Sequence, residues 1–190
     1  MADHADDGDI SNVFIYMGGS VPQHLKFTIT HVRVHKSVKI IARAAFRYFT
    51  NLVSIEMHGG VEIIEEYAFY RCTSLRGIKL PGVRVIGEKS FDDCLYIDGV
   101  EFGVKLETIG KCAFNNCASL KNVKLPKVRV IGHRAFANCY KLTDVELPKD
   151  LETIGGAAFM SCRRLRSIIM PLKANLLFFM RFIIAMPYHK

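Results

Sequence analysis

The stretch "KLPGVRVIGEKSFDDC", residues 79–94, returns 45 residues later as "KLPKVRVIGHRAFANC", residues 124–139. This duplication belongs to a shorter period, because phenylalanines recur at spacings of 23, 22, 23, 22 and 23 residues. They are Phe46, Phe69, Phe91, Phe114, Phe136 and Phe159. Self-similarity at such a period is the signature of a repeat architecture. Six units fill residues 38–171 of the 190-residue chain.

Each unit repeats the same apolar residues around its Phe. A Val or Leu opens the unit, and an Ile follows three residues later. Triplets such as "VKL" and "VEL" alternate apolar and polar residues, as a short strand does. A unit of 22 or 23 residues cannot bury its apolar face alone, so the units are expected to stack around one core and one parallel sheet. The spacing of Ala, Phe and Cys in "GxxAFxxC" predicts a short helical turn in each unit.

The full pattern, V-x-x-I-G-x-x-A-F-x-x-C-x-x-L-x-x-V-x-L-P, resembles the BspA-type leucine-rich repeat family over residues 38–171. The expected fold class is α/β, a right-handed leucine-rich-repeat solenoid. Its parallel β-sheet would lie on the concave face, with short helical turns elsewhere in each coil. The resemblance implies protein recognition or adhesion without an active site. Units one and two depart from the pattern, since Ala42 and Glu65 replace its Gly.

Charges alternate in sign along the predicted sheet. The middle residues of the triplets form a first column: Arg33, Glu56, Lys79, Glu101, Lys124 and Glu146. A second column follows the opening residues and alternates out of phase: Lys39, Glu62, Arg84, Glu107, Arg129 and Glu152. Opposite charges on neighbouring strands attract, so one interpretation is that both columns only fix the stacking register. The other is that the first column lines the concave face and binds a protein partner, since solenoids commonly bind there.

Five of the six cysteines share one column: Cys72, Cys94, Cys117, Cys139 and Cys162. Cysteine is small and often buried, and no C-x-x-C pair offers zinc spacing, so this column is predicted to hold core thiols. Cys112 lies outside it and is predicted to be near the surface. The chain has no P-loop, no G-x-S-x-G and no H-E-x-x-H. It is therefore predicted to have no catalytic residues, no cofactor and no metal site.

The two ends differ from the repeats. Residues 1–11 are acidic and predicted to be disordered, and residues 12–37 are predicted to form an N-terminal cap and a degenerate opening coil. The apolar tail, residues 172–190, is interpreted as a cap, a decayed seventh coil or an interface. As a helix its apolar run would reach about 17 Å, too short for a hydrocarbon core of about 30 Å. With neither a span nor a signal-peptide pattern, a cytoplasmic location is predicted.

The predicted function is that of a non-catalytic protein-protein interaction module. The alternative is a peripheral membrane or adhesion protein that uses the tail and a basic outer face. The chain has 26 Lys and Arg against 18 Asp and Glu, and Arg163, Arg164 and Arg166 cluster near unit six. No aromatic residues are interleaved with that cluster, so nucleic acid is not the expected partner. Self-association through the tail stays open.

Overall fold

The computed structural model describes residues 13–169, and the predictions for residues 1–11 and 172–190 lie outside the described residues. One 3-10 helix spans Gln23–Leu25. The strands are β1 (Val13–Tyr16), β2 (His31–Val34), β3 (Ile40–Ile41), β4 (Ser54–Glu56), β5 (Ile63–Ile64), β6 (Ile78–Leu80), β7 (Val85–Ile86), β8 (Val100–Phe102), β9 (Thr108–Ile109), β10 (Asn122–Lys124), β11 (Val130–Ile131), β12 (Asp144–Glu146), β13 (Thr153–Ile154) and β14 (Ser167–Ile169).

The strands form a parallel β-solenoid, as the repeat predicts. Each coil from Val38 onward contributes a two-residue strand and then a three-residue strand, called here the short and the long strand. The short strands pair in one six-stranded sheet, in the order β3-β5-β7-β9-β11-β13. The long strands form three sheets, β1-β2-β4, β6-β8 and β10-β12-β14. Coils are numbered one to six from their opening residues, which are Val38, Val61, Val83, Leu106, Val128 and Leu151.

The phenylalanine column is the centre of the core. All six rings are buried, and successive rings are 5.0 to 5.5 Å apart between centroids and within 9° of parallel. Tyr16 extends the column toward the N-terminus, with its ring centroid 5.0 Å from that of Phe46. Its hydroxyl donates to the Gly19 carbonyl and accepts from the Ala42 N–H. Burial raises the pKa of Tyr16, whose ring covers the first coil of the stack.

The predicted helical turns are wrong. In the segment around Phe46, the Ala45 and Arg47 N–H groups donate three residues back, whereas Ala44, Phe46 and Tyr48 donate to carbonyls of the next coil. An α-helix would require every N–H to donate within its own segment. Each coil also has two residues with positive φ here, such as Ala44 at 53° and Tyr48 at 65°. The segment, called here the turn segment, is a chain of tight turns cross-linked to its neighbour, because stacked coils offer carbonyls that an isolated helix lacks.

The glycine after the Ile column permits close stacking of the coils. A Cβ added to Gly132 would lie 2.5 Å from the Lys111 nitrogen and 2.6 Å from the Gly110 carbonyl carbon. The Gly132 N–H donates to the Ile109 carbonyl of the preceding coil at 2.8 Å. A side chain at Gly132 would meet the backbone of the preceding coil, which explains the glycine of coils three to six; coil two accommodates Glu65 there, whose N–H still donates to the Ile41 carbonyl at 2.9 Å.

Candidate protein-binding surface

The first charge column lies on the outward side of the long strands, a surface called here the long-strand face. Its six residues, at the positions predicted from the sequence, are all exposed: Arg33, Glu56, Lys79, Glu101, Lys124 and Glu146. The residues that flank them point into the core, as Ile78 and Leu80 do on either side of Lys79. The alternation of a strand therefore explains why the charges share one face.

Ion pairs link the residues of the first column in twos. Each pair joins two long strands of the same sheet, and the pairing stops where one long-strand sheet ends and the next begins. No N–O contact within 4.0 Å links Glu56 to Lys79 or Glu101 to Lys124 in the described chain. Exposed pairs of this kind stabilise a fold only weakly, because solvent screens them. The N–O distances are 2.6 Å for Arg33–Glu56, 3.1 Å for Lys79–Glu101 and 3.9 Å for Lys124–Glu146.

Other ion pairs bridge the coils that the first column leaves unlinked. In the second column, Arg84 pairs with Glu107 between coils three and four, and Arg129 with Glu152 between coils five and six. A third pair in the turn segments, Arg43 with Glu66 at 3.1 Å, joins coils one and two. The ion pairs thus link every two neighbouring coils from Arg33 to Glu152, as either interpretation of the columns allows.

A groove follows the break between β8 and β10 on the long-strand face. It encloses about 820 Å³, and Glu101, Lys124 and Glu146 line it together with apolar residues that include Phe102. A second groove of about 250 Å³ shares Lys124 and Glu146 and continues the surface to Ile169. Phe102 occupies a position where the neighbouring triplets carry Leu, and its ring packs edge-on against Phe114 at 5.6 Å. The half of the face over coils three to six therefore combines charge with apolar surface.

The cysteine column lies in the core, as predicted. Each of its thiols donates to the carbonyl of the preceding coil's Phe; Cys94, for example, donates to Phe69 at 3.1 Å. Burial raises the pKa of Cys94 well above its usual range. This bond gives the buried thiol an acceptor; the Phe69 carbonyl also accepts from the Cys72 N–H, at 3.1 Å. The prediction for Cys112 is wrong: it is 7% exposed, and burial raises its pKa too.

Asparagines and aspartates form a hydrogen-bonded ladder along the turn segments of coils three to five. Asn138 donates to Asn115 at 3.0 Å, and Asn115 donates to Asp92 at 2.8 Å. Asp92 is 6% exposed, and burial raises the pKa of its carboxyl while the bond from Asn115 lowers it. The ladder was not predicted; its sequence signal is an Asp or Asn one or two positions after the Phe of coils three to five.

Several exposed basic side chains lie over aromatic rings, which was not predicted from the sequence. Arg163 lies over the ring of Tyr140, 5.3 Å from its centroid, so the cluster near coil six does include an aromatic side chain. A larger group of tyrosines and arginines lies on the turn segments of coils one and two, and it too was missed. Its members are separated by a full coil in sequence, so only the stacking brings them together.

Within residues 13–169, no group of three or more His, Cys, Asp or Glu side chains is arranged to hold a metal ion. No helix in the described part is long and apolar enough to cross a membrane. The cytoplasmic location, and the membrane or self-association role of residues 172–190, stay predictions.

Comparison with protein families gives one match. A model of the BspA type leucine rich repeat region matches six copies, over residues 24–102 and 84–178. No curated protein matches the chain.

Several solved structures share the fold. A leucine-rich repeat protein from Eubacterium ventriosum superposes with a TM-score of 0.68 at 25% identity, over 79% of this chain and 43% of that one. One from T. pallidum gives 0.56 at 36% identity, over 62% and 56%. One from Bacteroides ovatus gives 0.55 at 33% identity, over 58% and 29%. The chain thus spans little more than half of these relatives at most.

Proposed function

Because this chain belongs to the BspA-type leucine-rich repeat family, we propose that it is a non-catalytic scaffold that binds another protein through its long-strand face. Proteins built from such repeats generally bind protein partners and are typically not catalysts. A solenoid exposes one row of equivalent positions over its whole length, which suits it to an extended contact.

The observation that carries the proposal is the groove between β8 and β10. The charged residues Glu101, Lys124 and Glu146 line it together with apolar residues, among them the partly buried Phe102. Binding energy in protein interfaces concentrates on apolar anchors enclosed by polar residues. The groove supplies a place for such an anchor and a charged rim around it.

The charge order of the rim indicates the kind of partner. Glu101, Lys124 and Glu146 alternate in sign over three neighbouring coils, and Lys149 adds a second cation to the lining. A partner of mixed charge would therefore find complementary charges, whereas a uniformly acidic or basic one would be repelled at some positions. We expect a protein segment of patterned charge that carries an apolar side chain for the groove.

Affinity capture from a lysate with matched variants tests the proposal. One variant carries Lys79→Ser, Glu101→Ser and Lys124→Ser. The control carries Arg84→Ser, Glu107→Ser and Arg129→Ser, which makes the same change of charge in the second column. Circular dichroism establishes that both variants fold.

The proposal expects a partner that the wild type and the control retain and the first variant loses. If the first variant retains every protein that the wild type captures, the first column only sets the stacking register and the proposal is wrong.

A further inference from the structure

The turn segments of coils one and two present a group of tyrosines and cations, called here the Tyr–Arg cluster. It lies in a different part of each coil from the long strands. Three of its members belong to coil one, three to coil two and one, Lys89, to coil three. The cluster consists of Arg43, Arg47, Tyr48, Tyr67, Tyr70, Arg71 and Lys89.

Arg47 is at the centre of the cluster. Its guanidinium carbon is 4.8 Å from the ring centroid of Tyr48, 5.4 Å from that of Tyr70 and 5.7 Å from that of Tyr67. One of its N–H groups donates to the Tyr48 hydroxyl at 3.1 Å. The tyrosines pack edge to face on one another, 5.5 Å and 5.8 Å apart. The guanidinium is therefore held in one place although Arg47 is exposed.

The charge of Arg47 is not neutralised by its surroundings. The neighbouring Arg43 and Arg71 each have an acidic partner, Glu66 and Asp93. Within residues 13–169, no carboxylate oxygen lies within 4.0 Å of Arg47. A guanidinium offers five donors in a planar fork that matches a carboxylate, so most donors of Arg47 stay available.

We propose that the Tyr–Arg cluster is a second binding surface, which takes an acidic protein segment whose carboxylate pairs with Arg47. Tyrosine and arginine are the residue types that dominate binding energy in protein interfaces. Hydrogen bonds from the Tyr48 and Arg71 N–H groups to the next coil, at 2.8 and 2.9 Å, hold the cluster in place before any partner binds.

Single-stranded nucleic acid fits the cluster less well. The faces of the three tyrosine rings lie under Arg47 and Arg71, so bases would have to displace a guanidinium in order to stack. Glu66 and Asp93 already pair with Arg43 and Arg71, so a continuous line of phosphates would meet few unpaired cations. A peptide needs to place only one carboxylate at Arg47.

Fluorescence anisotropy with a random copolymer of glutamate and tyrosine tests the proposal, at fixed salt and with a single-stranded oligothymidine as the second probe. The variant is Arg47→Gln. The control is Arg164→Gln, which removes the same charge from another exposed arginine and separates the site from the basic character of the chain. Thermal melting by circular dichroism compares the folds, and Arg47→Lys serves as a variant that keeps the charge but loses the fork.

We expect Arg47→Gln and Arg47→Lys to weaken copolymer binding about tenfold, as loss of charge-assisted hydrogen bonds does. Arg164→Gln should change it less than twofold. Equal weakening by Arg47→Gln and Arg164→Gln would overturn the proposal, because net charge would then explain the binding. So would tighter binding of oligothymidine that is lost in Arg47→Gln.

Discussion

Ser90 is the one described residue whose buried side-chain oxygen lacks a hydrogen-bond partner, and its replacement by alanine should stabilise the protein. Ser90 is 0% exposed and lies directly before Phe91, where every other coil carries alanine. A buried hydroxyl without a partner costs about 1–3 kcal/mol. Alanine fills nearly the same volume and leaves the bond from the Phe69 N–H to the residue 90 carbonyl intact. We therefore expect Ser90→Ala to raise the free energy of unfolding by about 1–2 kcal/mol.

The equivalent alanine of the next coil supplies the reverse experiment. Ala113 is also 0% exposed, so Ala113→Ser should lower the free energy of unfolding by a similar amount. Guanidinium titration followed by circular dichroism measures both, as opposite shifts of the midpoint at a constant slope. A loss of stability in Ser90→Ala would refute the reasoning, because it would mean that the hydroxyl has a partner after all.

Three further changes test the core, the stacking and a buried acid. Phe114→Ala removes a fully buried ring stacked between two others and should cost about 3–5 kcal/mol in denaturant titration, whereas Phe27→Ala, at 60% exposure, should cost less than about 0.5 kcal/mol. Gly132→Ala should lower the melting temperature, since its Cβ would lie 2.5 Å from the Lys111 nitrogen; an unchanged melting temperature would contradict the close approach. Burial raises the pKa of Asp92 in the folded state. Its buried charge therefore lowers the stability of the fold at high pH, and this loss of stability disappears as the pH falls through that pKa. Asp92→Asn should thus be more stable than the wild type at pH 8 and lose this advantage as the pH falls through the pKa of Asp92, and a pH-independent difference would contradict the effect of burial.

The repeat predicts the stacked-coil architecture because the same local pattern of apolar residues occurs in all six units. The charged middles of the triplets lie outside because of the alternation of a strand, and the Phe and Cys columns lie in the core because the period returns them to the same inward position of each turn segment. The family resemblance is confirmed by the match to the BspA type model.

The turn segment could not be predicted in the same way. The spacing of Ala45, Phe46 and Phe49 fits a helical turn, yet alternate N–H groups donate to the neighbouring coil. Whether an N–H donates to a carbonyl three residues back or to one in the next coil depends on the distance between coils. The sequence of a single unit does not determine that distance. Cys112 was assigned to the surface for the same reason, because its burial depends on the stacked segments around it.

The candidate sites depend on contacts between coils even more strongly. The groove exists because the long-strand sheet is interrupted between β8 and β10, and no residue pattern marks the width of such a break. The three tyrosines around Arg47 come from two coils and lie up to 22 residues apart, at Tyr48, Tyr67 and Tyr70. Their approach became visible only when the stacking register was known.

Occupation of the groove on the long-strand face by a protein partner can be tested by photo-crosslinking. A benzophenone amino acid is placed at Asn122, which lines the groove, or at Thr153, which is exposed on the short strands. We expect a partner adduct from position 122 and none from position 153. Adducts from position 153 alone would contradict it.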